Sequence, residues 1–161
     1  ACEQGRRWVV EHGVGDREIV VDDTQPHQTV YVYGCSECTV QVRGKVNAIS
    51  LDNCRRTALV FESVVAALEI VNCSKLEVQC LGTVPSLAAD ATEGLQLYLE
   101  DAAAEGVQIT TAKCSQINVL VLPGRTEGEM QEPTETPVPE QFVTTRMDGK
   151  WVTAPVTHSA A

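Results

Sequence analysis

Apolar and polar residues alternate along this chain in short runs, and between Gly34 and Ala91 the runs return every 19 residues. Cys35, Cys54 and Cys73 mark the same place in successive copies. Another 19 residues lead to Thr92, and a three-residue insertion separates Thr92 from the next match, Cys114. Three places after each anchor stand Cys38, Thr57, Leu76, Leu95 and Ile117. Five places after stand Val40, Leu59, Val78, Leu97 and Val119; seven places after stand Val42, Phe61, Cys80, Leu99 and Val121. This alternation predicts a strand with one buried face. Gly44, Ser63, Gly82 and Asp101 then supply turn formers. A second short strand follows, with Ile49, Leu68 and Leu87 at one inward place and Leu51, Ile70 and Ala89 at the next. Asn53 and Asn72 close two copies, and asparagine tolerates the left-handed backbone of a sharp corner.

A unit of about 20 residues with two short strands cannot bury its own apolar row, so it stacks on its neighbours. Like on like gives parallel strands ~4.8 Å apart. The expected fold is therefore all-β, a parallel β-helix of about six coils; the fixed period is not a demand of the alternative, a β-sandwich. Ile19, Val21, Val30 and Val32 extend the inner rows backwards, and Trp8 reads as the cover of the open first coil. Asp22 to Pro26 predicts a turn, and the insertion near Leu99 to Gly106 a helical turn at one corner.

The column is expected over residues 1–123. An acidic, proline-rich linker is expected over 124–139, and a C-terminal hairpin and tail over 140–161. Asp148-Gly149 between Phe142–Met147 and Lys150–Thr153 is a hairpin signal. A lone hairpin is marginal in water. It must fold onto its own column or cross to a second copy as a swapped dimer, and the sequence leaves both open.

A net charge of −10 argues against nucleic acid as the partner. No apolar run approaches a membrane span, which predicts no membrane insertion, and the absence of a secretory signature points to the cytoplasm. The start at Ala1 reads as an excised fragment. The seven cysteines include Cys35-Ser36-Glu37-Cys38, but most of them occupy inward repeat places, so packing is expected rather than metal or redox chemistry. Neither a metal nor a cofactor is expected, and no catalytic arrangement stands out. Among outward places, Arg43, Lys45, Arg55, Arg56 and Lys75 fall in three adjacent copies and read as a basic patch. Val60, Val64, Ala66 and Val71 are read as outward apolar neighbours, and together these suggest a surface meant to be covered.

Three strings carry a family resemblance: Gly44-Lys45-Val46-Asn47-Ala48-Ile49-Ser50-Leu51-Asp52-Asn53-Cys54-Arg55, Leu59-Val60-Phe61-Glu62-Ser63-Val64-Val65, and Pro137-Val138-Pro139-Glu140-Gln141-Phe142. From about Gly5 to about Thr157 the chain resembles the C-terminal domain of cyclase-associated protein. The resemblance implies a right-handed parallel β-helix whose C-terminal hairpin is exchanged in a homodimer. Phe142, Val143, Met147, Trp151 and Val152 would then be the dimerisation residues. It also implies binding to monomeric actin, preferentially the ADP form, and nucleotide exchange that regenerates ATP-actin beside the cytoskeleton. Lys45, Asn47, Ser50, Asp52 and Arg55 form the candidate actin-binding set, with Lys45 and Arg55 as the charge-pairing members.

The related β-helix of tubulin-folding cofactor C acts on small GTPases through a glutamine and an arginine finger on one strand. Gln41-Val42-Arg43 looks partly like that motif, although its neighbouring glutamine is missing and Lys45 follows closely. GTPase activation through Arg43 is the alternative expectation.

Overall fold

The computed structural model describes residues 2–123 and 132–156. Its strands are β1 (Cys2–Glu3), β2 (Arg7–Glu11), β3 (Ile19–Val21), β4 (Thr29–Tyr33), β5 (Thr39–Asp52), β6 (Ala58–Val71), β7 (Ser74–Cys80), β8 (Ser86–Asp90) and β9 (Glu93–Glu100). After the short helix α1 (Asp101–Ala104) come β10 (Gln108–Ala112), β11 (Ser115–Leu122), β12 (Thr134–Pro137), β13 (Phe142–Met147) and β14 (Lys150–Pro155). The coils stack in parallel into a β-helix, as the period predicts.

The inner rows are ladders. One runs Ile19–Val40–Leu59–Val78–Leu97–Val119. Another runs Trp8–Val30–Ile49–Leu68–Leu87–Ile109. Their middle members are fully enclosed: Val30, Val40, Ile49, Leu68, Val78, Leu87 and Leu97 are 0% exposed. Burial of each Val, Leu or Ile side chain is worth about 1.5–3 kcal/mol before entropy. Trp8 packs against the first coil, with its indole N–H donating to Gln28 at 2.9 Å. At that end β1 folds back antiparallel on β2. The insertion forms α1, as expected, with Ala103 turned into the core.

The cysteine anchors climb one corner. Arg55 N–H donates to Cys35 O, Ser74 N–H to Cys54 O, Glu93 N–H to Cys73 O and Ser115 N–H to Thr92 O, all at 2.9–3.1 Å. Left-handed residues flank every anchor. His12, Gly34, Asn53, Asn72, Ala91 and Lys113 precede the rungs, and Gly15, Glu37, Arg56, Lys75, Gly94 and Gln116 follow them, all at φ between 48° and 83°. The carbonyl two residues before the anchor already accepts a backbone N–H from the preceding coil, as Val71 O does from Asn53 at 3.0 Å, and the anchor side chain adds a second donor. Cys54, Cys73, Thr92 and Cys114 supply it to Asp52, Val71, Asp90 and Ala112 at 3.1–3.5 Å. That shared role explains why threonine and cysteine exchange at this place.

Three expectations are corrected. Gly44 and Ser63 do not end the first strand: β5 and β6 run through the bend as single 14-residue strands. Pairing passes from Val42–Phe61 to Lys45–Ser63, then from Val46–Val64 to Ala48–Ala67. One strand gains a residue at Arg43-Gly44 and the other regains it at Val65-Ala66, so two bulges turn the corner and restore the period. Gly44 sits at φ 82°, and a Cβ there would lie 2.6 Å from Thr24 Oγ1. The bulges also shift parity. Val64, read as outward, is 1% exposed and stacks on Val46, while Val65 is 48% exposed. Finally, the span read as linker holds β12, which pairs antiparallel with β11 through Val121–Thr134 to Asn118–Pro137. The rest of that span, 124–131, lies outside the described residues.

Candidate protein-docking site

The second stack of strands presents a flat outer wall. Register places Val9, Tyr31, Ser50, Glu69, Ala88 and Thr110 in one row, and Glu11, Tyr33, Asp52, Val71, Asp90 and Ala112 in the next. Tyr31 and Tyr33 lie near-parallel with centroids 6.1 Å apart. The Arg7 guanidinium lies 5.4 Å from the centre of the Tyr31 ring, and His12 meets Tyr33 edge-on at 5.4 Å. Tyr31 donates its hydroxyl to Asp52 Oδ2 at 3.1 Å. Partial loss of solvent, then this bond to a carboxylate, raises the Tyr31 phenol above its ordinary value. Two of the three tyrosines in an aromatic-poor chain thus stand side by side, half-exposed, on one wall, and tyrosine is a residue type enriched at protein interfaces.

The structure brings part of the sequence-derived set together. Ser50 and Asp52 lie on the wall next to Tyr31 and Tyr33. Lys45 and Asn47 lie at its edge, where β5 bends, and Arg55 lies around the opposite corner on the anchor ladder. Seven residues of strand, about 23 Å, separate Lys45 from Asp52. The basic residues therefore do not form one patch. Arg43 and Lys45 mark one corner. Arg56 and Lys75 mark the other, where with Arg17 they line a groove of about 210 Å³ and Arg56 pairs with Glu37 at 3.8 Å. The wall between them carries Asp52, Glu69 and Asp90. Sequence reasoning missed Tyr31 and Tyr33; the outward pair in Thr-Val-Tyr-Val-Tyr was the available signal.

The hairpin forms where Asp148-Gly149 predicts, with both turn residues at positive φ, 51° and 75°. Every residue of β13 and β14 is exposed, with Phe142 at 57%, Val143 at 46%, Met147 at 62%, Trp151 at 70% and Val152 at 45%. Pairing puts Phe142 and Trp151 on one face, with Arg146 5.9 Å from the Trp151 ring centre, and Val143, Met147 and Val152 on the other. A two-stranded ribbon apolar on both faces needs cover on both. Beneath it a groove of about 640 Å³ opens between Ile117, Asn118, Pro137, Val138 and Val156.

Arg43 is exposed at the first corner, its carbonyl accepting the Thr24 hydroxyl, and Gln41 lies on the other wall beside Val60. Among the described residues no cluster of three metal-ligating side chains occurs, and no helix is long and apolar enough to cross a membrane.

Comparison with known proteins gives one consistent result. Residues 1–158 match the family described as "Adenylate cyclase associated (CAP) C terminal". The chain is 44% identical over 160 residues to cyclase-associated protein 1 of Arabidopsis thaliana, covering 99% of this chain and 33% of that protein. It is 41% identical over 155 residues to the adenylyl cyclase-associated protein of Dictyostelium discoideum, covering 96% and 32%. The crystal structure of cyclase-associated protein from Cryptosporidium parvum superposes with a TM-score of 0.85 at 28% identity, over 97% of this chain and 93% of that one. The chain spans about a third of the length of these curated relatives.

Proposed function

The chain belongs to the family of cyclase-associated protein C-terminal domains, and from that premise we propose that it binds monomeric actin and promotes the recharging of ADP-actin to ATP-actin. Family membership across residues 1–158 carries this reading. The Tyr31–Tyr33 wall supplies a surface suited to a folded protein, and the hairpin supplies apolar faces suited to a second copy of the chain. The role is conformational rather than chemical. A platform that binds both nucleotide states of actin shifts nothing unless its affinity differs between them. Preference for the ADP form, with release after exchange, meets that requirement. The proposed setting is the cytoplasm, beside the filament network that consumes the recharged monomers.

The test is displacement of a fluorescent nucleotide from ADP-actin with and without the purified chain, alongside a titration of affinity for ADP- and ATP-actin. Faster displacement and tighter binding to ADP-actin are expected. Equal affinity for the two forms with unchanged displacement overturns the proposal.

A further inference from the structure

We propose that Cys54 and Cys73 form a reversible oxidation site, in which a small hydroperoxide oxidises Cys73 and Cys54 on the preceding coil closes a cross-rung disulfide. The two residues lie in register, since Ser74 N–H donates to Cys54 O at 3.0 Å and Arg55 pairs with Ser74. Neighbours on parallel rungs lie ~4.8 Å apart, inside the roughly 4.4–6.8 Å Cα separation of disulfides.

The two sulfurs are unequal. Cys73 Sγ accepts the backbone N–H of Cys54 at 3.4 Å. It is also the more open of the pair, at 4% against 1%, and it lines a surface groove of about 410 Å³ together with Ser74, Thr92 and Lys113. The pairing of the two side chains holds the Cys73 thiol below its ordinary value and, with burial, raises Cys54. Thiolate character marks the attacking sulfur, so Cys73 reacts first and Cys54 resolves. Donating to the carbonyl two residues back does not itself call for sulfur, because Thr92 does the same on the next rung at 3.1 Å.

The chemistry balances. Cys73 sulfur attacks one peroxide oxygen and the O–O bond breaks. The departing hydroxide takes the thiol proton and leaves as water, while the attacked oxygen keeps its own hydrogen and stays on Cys73 as a sulfenic acid. Cys54 sulfur then attacks Cys73 sulfur, the S–O bond breaks, and the hydroxyl leaves as a second water carrying the Cys54 proton. Two thiols lose two electrons and two protons, and the peroxide becomes two waters.

The experiment treats this chain with equimolar hydrogen peroxide, blocks remaining thiols under denaturing conditions, and maps peptides without reduction. A Cys54–Cys73 linked peptide that dithiothreitol removes is expected. In Cys54→Ala the link is lost and dimedone labels Cys73 instead. Recovery of both cysteines as free thiols, with oxidation confined to Cys2 and Cys114, overturns the proposal. So does over-oxidation of Cys73 in the unsubstituted chain without a link, a result that does not depend on the variant folding.

Discussion

The carboxylate of Glu140 accepts the backbone N–H of Gln116, the left-handed residue that follows the anchor of the last coil. In lower coils the equivalent N–H groups donate upward: Glu37 to Arg55 O and Arg56 to Ser74 O, both at 3.0 Å. Among the described residues no coil lies above the last one, and a side chain from the segment leading to the hairpin takes the place of the next carbonyl. Val138 N–H, donating to Ile117 O at 2.8 Å, fixes the same segment. The Pro-Glu-Gln-Phe string therefore terminates the ladder and aims the hairpin.

Glu140→Ala should therefore lower stability by about 0.5–1.5 kcal/mol, the net worth of one exposed hydrogen bond. Amide exchange at Gln116 should speed up while the inner rungs at Leu76 and Leu95 stay protected. Glu140→Gln keeps an acceptor and should lose less. Unchanged exchange at Gln116 in Glu140→Ala would show that the carboxylate does not hold this N–H in solution.

Burial of the Cys35 thiol makes the column sensitive to alkali. Desolvation pushes Cys35 from the ordinary 9.0 up to about 11. Below pH 9 folded and unfolded chains both keep this proton, and the full stability is present. Between about 9 and 11 the unfolded chain gives the proton up and the folded chain does not, so stability falls with rising pH. Two pH units at 1.36 kcal/mol each correspond to roughly 2–3 kcal/mol from this thiol. Cys80, also raised by burial, acts in the same direction. Urea melts at pH 8 and pH 10.5 should show the decline, and Cys35→Ala should flatten it. A slope untouched by that substitution would assign it to other groups.

Residues such as Cys35, Cys54 and Cys73 made the fold legible, because a stack of coils works only if inward places recur at one interval. The interval says less about the path between rungs. Val64 was misplaced because the bulges at Arg43-Gly44 and Val65-Ala66 cancel over one coil, leaving the period intact while parity changes inside it. The left-handed states of Glu37, Arg56, Lys75 and Gln116 have no side-chain signature either. The ladder imposes them, whereas Asn53 and Asn72 advertise theirs. The candidate docking wall was half legible: Ser50 and Asp52 come from a recognisable string, but their neighbours Tyr31 and Tyr33 come from the preceding coil. Lys45 and Arg55 are close in the chain yet stand at opposite corners.

Exposure of both hairpin faces predicts a dimer in solution. Light scattering should give about 35 kDa, twice the 17.4 kDa of one chain, and removal of 138–161 should give a monomer. Trp151→Glu with Val152→Glu burdens both faces with charge while leaving the Asp148-Gly149 turn intact, and should also give a monomer. A monomer with and without 138–161 would remove the proposal of an exchanged hairpin.

The wall and the corners make different claims on actin, and substitution separates them. Tyrosines at the centre of a protein interface commonly dominate its energetics, so Tyr31→Ala or Tyr33→Ala should weaken actin binding by tenfold or more, about 1.4 kcal/mol. Lys45→Ala with Arg55→Ala removes two exposed cations about 30 Å of strand and corner apart, and should weaken binding chiefly at low salt. Neither change touches an inner ladder, so circular dichroism and melting should stay close to those of the parent chain. Tyr31→Phe deletes only the hydrogen bond to Asp52 and separates ring stacking from hydroxyl placement. If both tyrosine variants bind actin as the parent does while the double cation variant fails, docking is at the corners and the flat wall is not the site.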